Sequence, residues 1–312
     1  MNVSAIIVAE GACPDINLTI SSSREIANEI ILVDIGIEKT TRLKIQAEYE
    51  DMLIEKMDKP EFVELIRQDT FSFAKNDWIL LLDPDEYLSP DLVRYIQTLP
   101  ENIIESHTHF KIPRQNYIFG KWISHSRWWP DYQVRLFRKD SIQWPRILHS
   151  QPLINGKGYV IPAFENEKVE MNARTIVHHN YTGIIQYLEK AVRYSRVEAD
   201  EIVSQDKEFT LLEATRRATS EFISRFFAEK GYKDGVHGFL LAVLQMFYCI
   251  LVFCFVWEKR GYNDVSSVSL HKSVNQMFLT TSKEVIYWMR REKLLKGTEA
   301  IFARLKAWIL SS

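Results

Sequence analysis

Short, wholly apolar runs alternate along the first third of the chain with longer segments in which apolar residues recur among polar ones. Residues 3–9, "VSAIIVA", are rich in β-branched side chains and give way to "EGACP", a pattern that predicts a buried strand leaving the core through a turn. Residues 15–27 carry Ile16, Leu18, Ile20 and Ile26 amid polar positions and read as a helix. A second buried strand, residues 30–33, ends on Asp34, and a helix over roughly residues 40–49 follows. A weak strand at 52–56, a helix at 60–74 and the clearest strand of all, "WILLL" at 78–82, continue the series. Ser89-Pro90-Asp91 has the form of an N-cap with proline in the first turn and predicts a helix to about Leu99. Strands alternating with helices predict a parallel sheet with helical crossovers.

From residue 110 to 160 the pattern becomes aromatic and β-branched, broken by Gly, Pro and Asn, which predicts mixed or antiparallel strands and long loops. From about Thr182 it is helical, over 184–200, 211–230 and 274–310, with an apolar stretch between the last two. The predicted organisation is an α/β domain over 1–181 and a helical region over 182–312. Residues 238–257, "GFLLAVLQMFYCILVFCFVW", reach the roughly 20 apolar residues that a bilayer span requires. Lys233 stands before them and Lys259-Arg260 after. A buried core helix, an interfacial or re-entrant helix and a true span all fit this pattern, and two of the three put the chain in contact with a membrane.

Composition narrows the picture in three respects. Lys plus Arg number 39 against 41 Asp plus Glu, a net charge of -2 that gives no global attraction for nucleic acid. Three cysteines with no metal-type spacing read as reduced and buried or lipid-adjacent. The amino-terminal segment has no basic leader, so residence on the cytosolic side is the expectation.

The chemistry concentrates where strands end. "DWILLLDPDEYLSP" places Asp83, Asp85 and Glu86 directly behind a buried strand, and Asp34 ends an earlier one. Ligands of open α/β sheets sit beyond the carboxyl ends of the strands. Two carboxylates spaced Asp-x-Asp there can share a divalent cation, Mg²⁺ or Mn²⁺, that bridges the phosphates of a nucleotide diphosphate. An ordinary acidic turn explains the same residues more simply.

"NDWILLLDPDEYLSPDL" resembles the "GDWVLxLDADE" segment of family 2 glycosyltransferases, in particular the branch containing lipopolysaccharide-core glucosyltransferases. "IPRQNYIFGKWISHSRWWPDYQVRLFRK" is similar to that branch's "PRRNYFLGRWIRHGGWYPDYQLRLFRR". "HHNYTGIIQYLEKAVRYS" and "GYKDGVHGF" match two further islands in the family order. The chain departs from the family at "AEGACPDIN" and "VDIGIEKTT", and at His149-Ser150, where the family has His-Glu.

The resemblance implies a GT-A-like sheet and inverting transfer of a sugar from a nucleotide-diphosphate donor, UDP-hexose foremost, to a glycan or lipid-linked saccharide acceptor of the cell envelope. It implies that Asp83 and Asp85 serve the metal and donor phosphates, that Asp34 meets the nucleoside and that Arg67 lies near the donor. Arg135 and Arg138 are candidates for clamping phosphates. Asp131 is the candidate base, with neighbouring aromatics expected to desolvate it and raise its pKa. His178 is the candidate to complete the metal shell, and Trp128 and Trp129 are candidates to stack on a sugar. Two other classes stay open: a catalytically silent relative that binds nucleotide sugar or glycan at the membrane, and a nucleotidyltransferase. The latter would call for a glycine-rich basic loop that "EGACPDIN" lacks.

Overall fold

The computed structural model describes residues 1–146, 151–164, 173–264, 267–295 and 299. His149-Ser150 and, apart from residue 299, the part of the predicted helix beyond residue 295 lie outside them. The chain forms two compact units, one comprising Met1–Trp122 and Trp129–Asn180, the other Ile123–Trp128 and the chain from Tyr181 onward.

The first unit begins as the apolar pattern predicts: β1 (Val3–Gly11), α1 (Ile16–Arg24), β2 (Glu29–Ile37), α2 (Lys39–Glu48), β3 (Leu53–Lys56), α3 (Glu64–Thr70) and β4 (Trp78–Leu82). The helix expected from residue 60 starts only at Glu64 and passes into a 3-10 turn at Phe71–Phe73. β5 (Glu86–Leu88) is a strand where the sequence reads as an acidic turn. Then come α4 (Pro90–Gln97), α5 (Glu101–Ser106), β6 (His109–Ile118), β7 (Lys121–Trp122), β8 (Asp131–Arg138), β9 (Ile142–Gln143), β10 (Leu153–Ile154), β11 (Gly158–Val160) and β12 (Ile176–Tyr181). The main sheet runs β3-β2-β1-β4-β8-β6-β12-β5, with β7 and β11 also paired to β6, while β9 and β10 form a small second sheet.

β1, β2, β3 and β4 are mutually parallel, and β8 joins β4 antiparallel, as β6 joins β8 and β5 joins β12. This is the mixed α/β sheet flanked by helices that the sequence predicts, followed by a helical region.

Both faces of the parallel half are covered, which is why β1 and β4 read as continuous apolar runs rather than alternating ones. Val3, Ala5, Ile7, Leu80 and Leu82 pack with Ile20, Ile45, Leu92 and Ile96 on one face. Ile6, Val8, Ile79 and Leu81 pack with Phe71 and Phe137 on the other. Ser89 caps α4 by accepting from Leu92 N (3.2 Å), and the same hydroxyl donates to Ala173 O (2.7 Å), fastening the entry of β12 to the helix start.

The connection that builds the site is the shortest one. β4 and β5 lie four places apart in the sheet order, yet only residues 83–85 separate them in the chain. Three residues span at most about 10 Å, so strands β4, β8, β6, β12 and β5 must curl until the last returns beside the first. The charged residues gather around the short 83–85 connection, on Asp83, Glu86 and the arginines that bond them.

The second unit contains α6 (Ile184–Ser204), α7 (Leu211–Ile223), α8 (Val236–Lys259) and α9 (Ser267–Arg291). Thr210 and Glu213 form a capping box at the start of α7. Gly238 lies so close to Gly231 that an added Cβ would meet the Gly231 carbonyl oxygen at 1.8 Å. Asp234 is buried and accepts from Ser124 Oγ (3.0 Å) and His125 N (2.9 Å), tying residues 123–128 into this unit.

Candidate active site

Six charged side chains of the first unit form an unbroken series of alternating sign. Arg67 Nη2 donates to Asp83 Oδ1 (3.0 Å), and Arg135 Nη2 donates to Asp83 Oδ2 (2.5 Å) and to Glu86 Oε1 (2.8 Å). Arg114 Nη1 donates to the same Glu86 oxygen (2.7 Å), while its Nε and Nη2 both reach Asp131 Oδ2, at 2.8 and 2.6 Å. Glu86 has no solvent exposure and Arg135 has 3%. Charges so deep survive only when paired and hydrogen-bonded, and here each has at least two partners.

Register explains the assembly. Arg114 on β6 stands directly opposite Asp131 on β8, and Glu86 on β5 stands opposite His178 on β12. Arg135 stands at an irregularity of the β6–β8 ladder, where Phe110 opposes Leu136 and Lys111 opposes Val134, and reaches Asp131 through Glu86 and Arg114.

The expected residues divide accordingly. Asp83, Arg67, Arg135 and Asp131 come together in the series. Arg67 is buried, with its guanidinium over the Trp144 ring at 4.9 Å, and is therefore no solvated helix arginine. Arg138 does not join them: it pairs with Trp78 at the opposite end of β4, lies over that ring and donates to Ile104 O (3.4 Å). Asp34 lies inside β2, paired with Ala9 and Lys56, and β1 stands between it and β4. Its Oδ1 accepts from Gly36 N (2.9 Å) and Ile37 N (2.8 Å) and its Oδ2 from Arg42 (3.2 Å), so its visible work is to shape its own loop.

Asp131 needs a correction. Burial does push its carboxyl up, but Arg114 and hydrogen bonds from Asn116 (3.1 Å) and Gln133 (2.6 Å) outweigh burial and leave it below the usual carboxylate range. The aromatic neighbours do not govern it. Trp129 packs edge-on against Trp122 and also meets Phe164, whereas Trp128 belongs to the second unit, beneath Arg225. Asp83 is likewise held low, its burial outweighed by Arg135 and Arg67.

For a divalent cation, Asp83 fits poorly, because both its oxygens are taken by arginines. Asp85 and His178 fit better. His178 Nδ1 is 2.7 Å from Asn116 Oδ1, while Asn116 Nδ2 donates to Asp131, so the imidazole proton belongs on Nδ1. Nε2 then presents a lone pair to Asp85 Oδ1 at 3.7 Å. A cation shared by Asp85 and His178 would have a His-plus-carboxylate donor pair, which suits Mn²⁺ better than Mg²⁺. Among the described residues there is no cluster of three or more metal-ligating side chains. Further ligands would have to come from a bound substrate, as is usual for such ions at phosphates.

Sequence reasoning missed Glu86, Arg114 and Asn116 as site residues. Glu86 is the third carboxylate of the "DPDE" turn, and Arg114 and Asn116 stand in the "PRQN" island, so position alone could have flagged them.

No family model matches the chain. A Rickettsia bellii protein designated an uncharacterized glycosyltransferase is 25% identical over 252 residues, which cover 78% of this chain and 82% of its own length. A protein of similar designation from Rickettsia conorii is 25% identical over 262 residues, covering 78% and 86%. Among solved structures, Staphylococcus aureus TarS 1-349 in complex with UDP is 13% identical, with a TM-score of 0.41, over 86% of this chain and 95% of that one. A likeness that slight carries no weight. The relatives by sequence are distant homologues that bear a glycosyltransferase name.

Proposed function

We propose that this chain is a glycosyltransferase that moves a sugar, foremost a hexose from a UDP donor, onto a hydroxyl of a glycan or lipid-linked saccharide of the cell envelope. The observation that carries the reading is the buried alternating series at the carboxyl end of β4, with Asp85 and His178 beside it. The distant homologues' designation and the resemblance of the "DPDE" and "PRQNY" islands support it.

In the proposed reaction the acceptor hydroxyl attacks the anomeric carbon from the face opposite the leaving group. A new C–O bond forms while the bond to the diphosphate breaks, the nucleotide diphosphate departs with the electron pair, and Asp131 takes the hydroxyl proton. Inversion follows from that single displacement. Arg67 and Arg135 hold Asp83 in place near the donor, and Asp34 serves the nucleoside side. Asp85 and His178 would hold a divalent cation, which when bound supplies charge neutralisation for the leaving diphosphate.

We place the protein at the cytosolic face of a membrane. Only 28% of the most apolar window of α8 is buried, and Phe239, Leu240, Phe247 and Trp257 are exposed along it.

The test is turnover. Wild type and Asp131→Asn are incubated with a panel of nucleotide sugars and Mn²⁺, with or without saccharide acceptors, and released nucleotide is measured. Release from one donor, reduced at least about 100-fold in the variant, supports the reading. Tight nucleotide-sugar binding without any release would favour the silent relative. No binding to any donor would contradict both.

A further inference from the structure

Glu86 is the least accessible carboxylate in the charged series and the one that no step of the proposed reaction uses. Its Oε1 accepts from Arg114 and Arg135 and its Oε2 from Asp83 N (3.1 Å). Arg114 is the residue it shares with Asp131. A guanidinium offers donors along two edges in a rigid plane, which an ammonium cannot do, and Arg114 uses one edge for each carboxylate. The groups around Asp131 are Arg114 and Asn116 on β6 and Gln133 on β8 in direct contact. Behind them stand Glu86 on β5, His178 on β12 beyond Asn116, Arg135 on β8, and Asp83 after β4.

The donors fall unevenly on the two oxygens of Asp131. Oδ2 accepts from Arg114 Nε, Arg114 Nη2 and Asn116 Nδ2, whereas Oδ1 accepts from the side chain of Gln133. A carboxylate oxygen with three donors has no lone pair to spare.

We propose that Glu86 and Arg114 are positioning residues for Asp131: Glu86 fixes one edge of the Arg114 guanidinium, the other edge saturates Asp131 Oδ2, and Oδ1 is thereby the oxygen aimed to receive the acceptor proton. This rests on the reading of Asp131 as the base. It adds that the base is oriented by a buried ion-pair relay whose far end, through Arg135, is the donor-side Asp83. Donor-side and acceptor-side carboxylates are thus held by one continuous piece of structure.

The test reads side chains directly in the full chain, with no acceptor needed. Asp carboxyl ¹³C resonances are followed with pH, that of Asp131 being identified by its loss in Asp131→Asn, and the Arg114 Nε–H resonance is followed alongside. In Arg114→Gln the Asp131 midpoint should rise by at least one pH unit, a tenfold change in proton affinity. In Arg114→Lys, which keeps the charge but not the fork, it should rise by at least half as much. In Glu86→Gln the slowly exchanging Arg114 Nε–H signal should broaden or vanish. An unmoved midpoint in Arg114→Lys would show that charge alone matters, and an unchanged Arg114 signal in Glu86→Gln would remove Glu86 from the relay; either overturns the proposal. Dispersed methyl spectra establish folding of each variant, with Glu86→Asp as the conservative rescue should Glu86→Gln misfold. UDP binding is measured in parallel. Its absence from wild type would sink the transferase reading while leaving the relay decided by the resonances.

Discussion

Arg135 occupies the most exacting position in the molecule, buried between Asp83 and Glu86 with its charge divided between them. Removing one member of such a cluster strands the others. Arg135→Met is therefore expected to cost about 3–5 kcal/mol of stability, read as a drop in the denaturant midpoint. A cost below about 1 kcal/mol would mean that the two carboxylates find other partners. The same residues fix a pH dependence. Asp34, Asp83 and Asp131 are all held below their ordinary range, their burial outweighed by hydrogen bonds and arginines. The stabilisation each supplies is complete above its unfolded pKa, about 4, and is lost as pH falls through its folded value. The Tm gap between wild type and Asp34→Asn should accordingly stay constant from pH 7 to about 5 and narrow below about 4. A gap that widened in acid would contradict the sign.

At the scale of elements, what the sequence disclosed and what it hid have separate physical causes. β1, β2 and β4 are buried on both faces, so their apolar runs are visible locally, and Asp34 and Asp83 are legible as the places where those runs stop. Ser89-Pro90 announced α4 by cap chemistry that needs no tertiary context. β5 was hidden because three residues beside an acidic turn carry no periodicity, and it is a strand only because the sheet curls back to pair it with β12. The relay was hidden for the same reason: Glu86, Arg114 and Asp131 meet through pairings between strands far apart in the chain. Arg138 was misplaced because the register that sets it beside Trp78, at the far end of β4 from Asp83, is not visible in the sequence. In the helical unit, Gly238 passes the Gly231 carbonyl without room for a methyl group. Gly238→Ala should destabilise by about 1–3 kcal/mol, as overpacking does, with thermal denaturation as the check and an unchanged Tm as the contrary result.

At the scale of the whole molecule, the chain carries both the proposed donor site and a helix, α8, that is long and apolar enough to cross a membrane. Lys272, Lys283, Arg290 and Arg291 outnumber Glu284 along α9, and exposed apolar residues run along both α8 and α9. Such a surface should float with vesicles containing anionic lipid, release in high salt if α8 lies in the interface, and require detergent if α8 spans. Recovery only in the soluble fraction under all conditions would remove the membrane from the account. The central claim is the donor site itself, and the most direct measurement is a calorimetric titration of UDP with and without Mn²⁺, using wild type and Asp85→Ala. Binding that strengthens at least tenfold with the ion in wild type, and becomes indifferent to it in the variant, is the predicted result. Binding that is absent, or equally ion-dependent in both proteins, would contradict it.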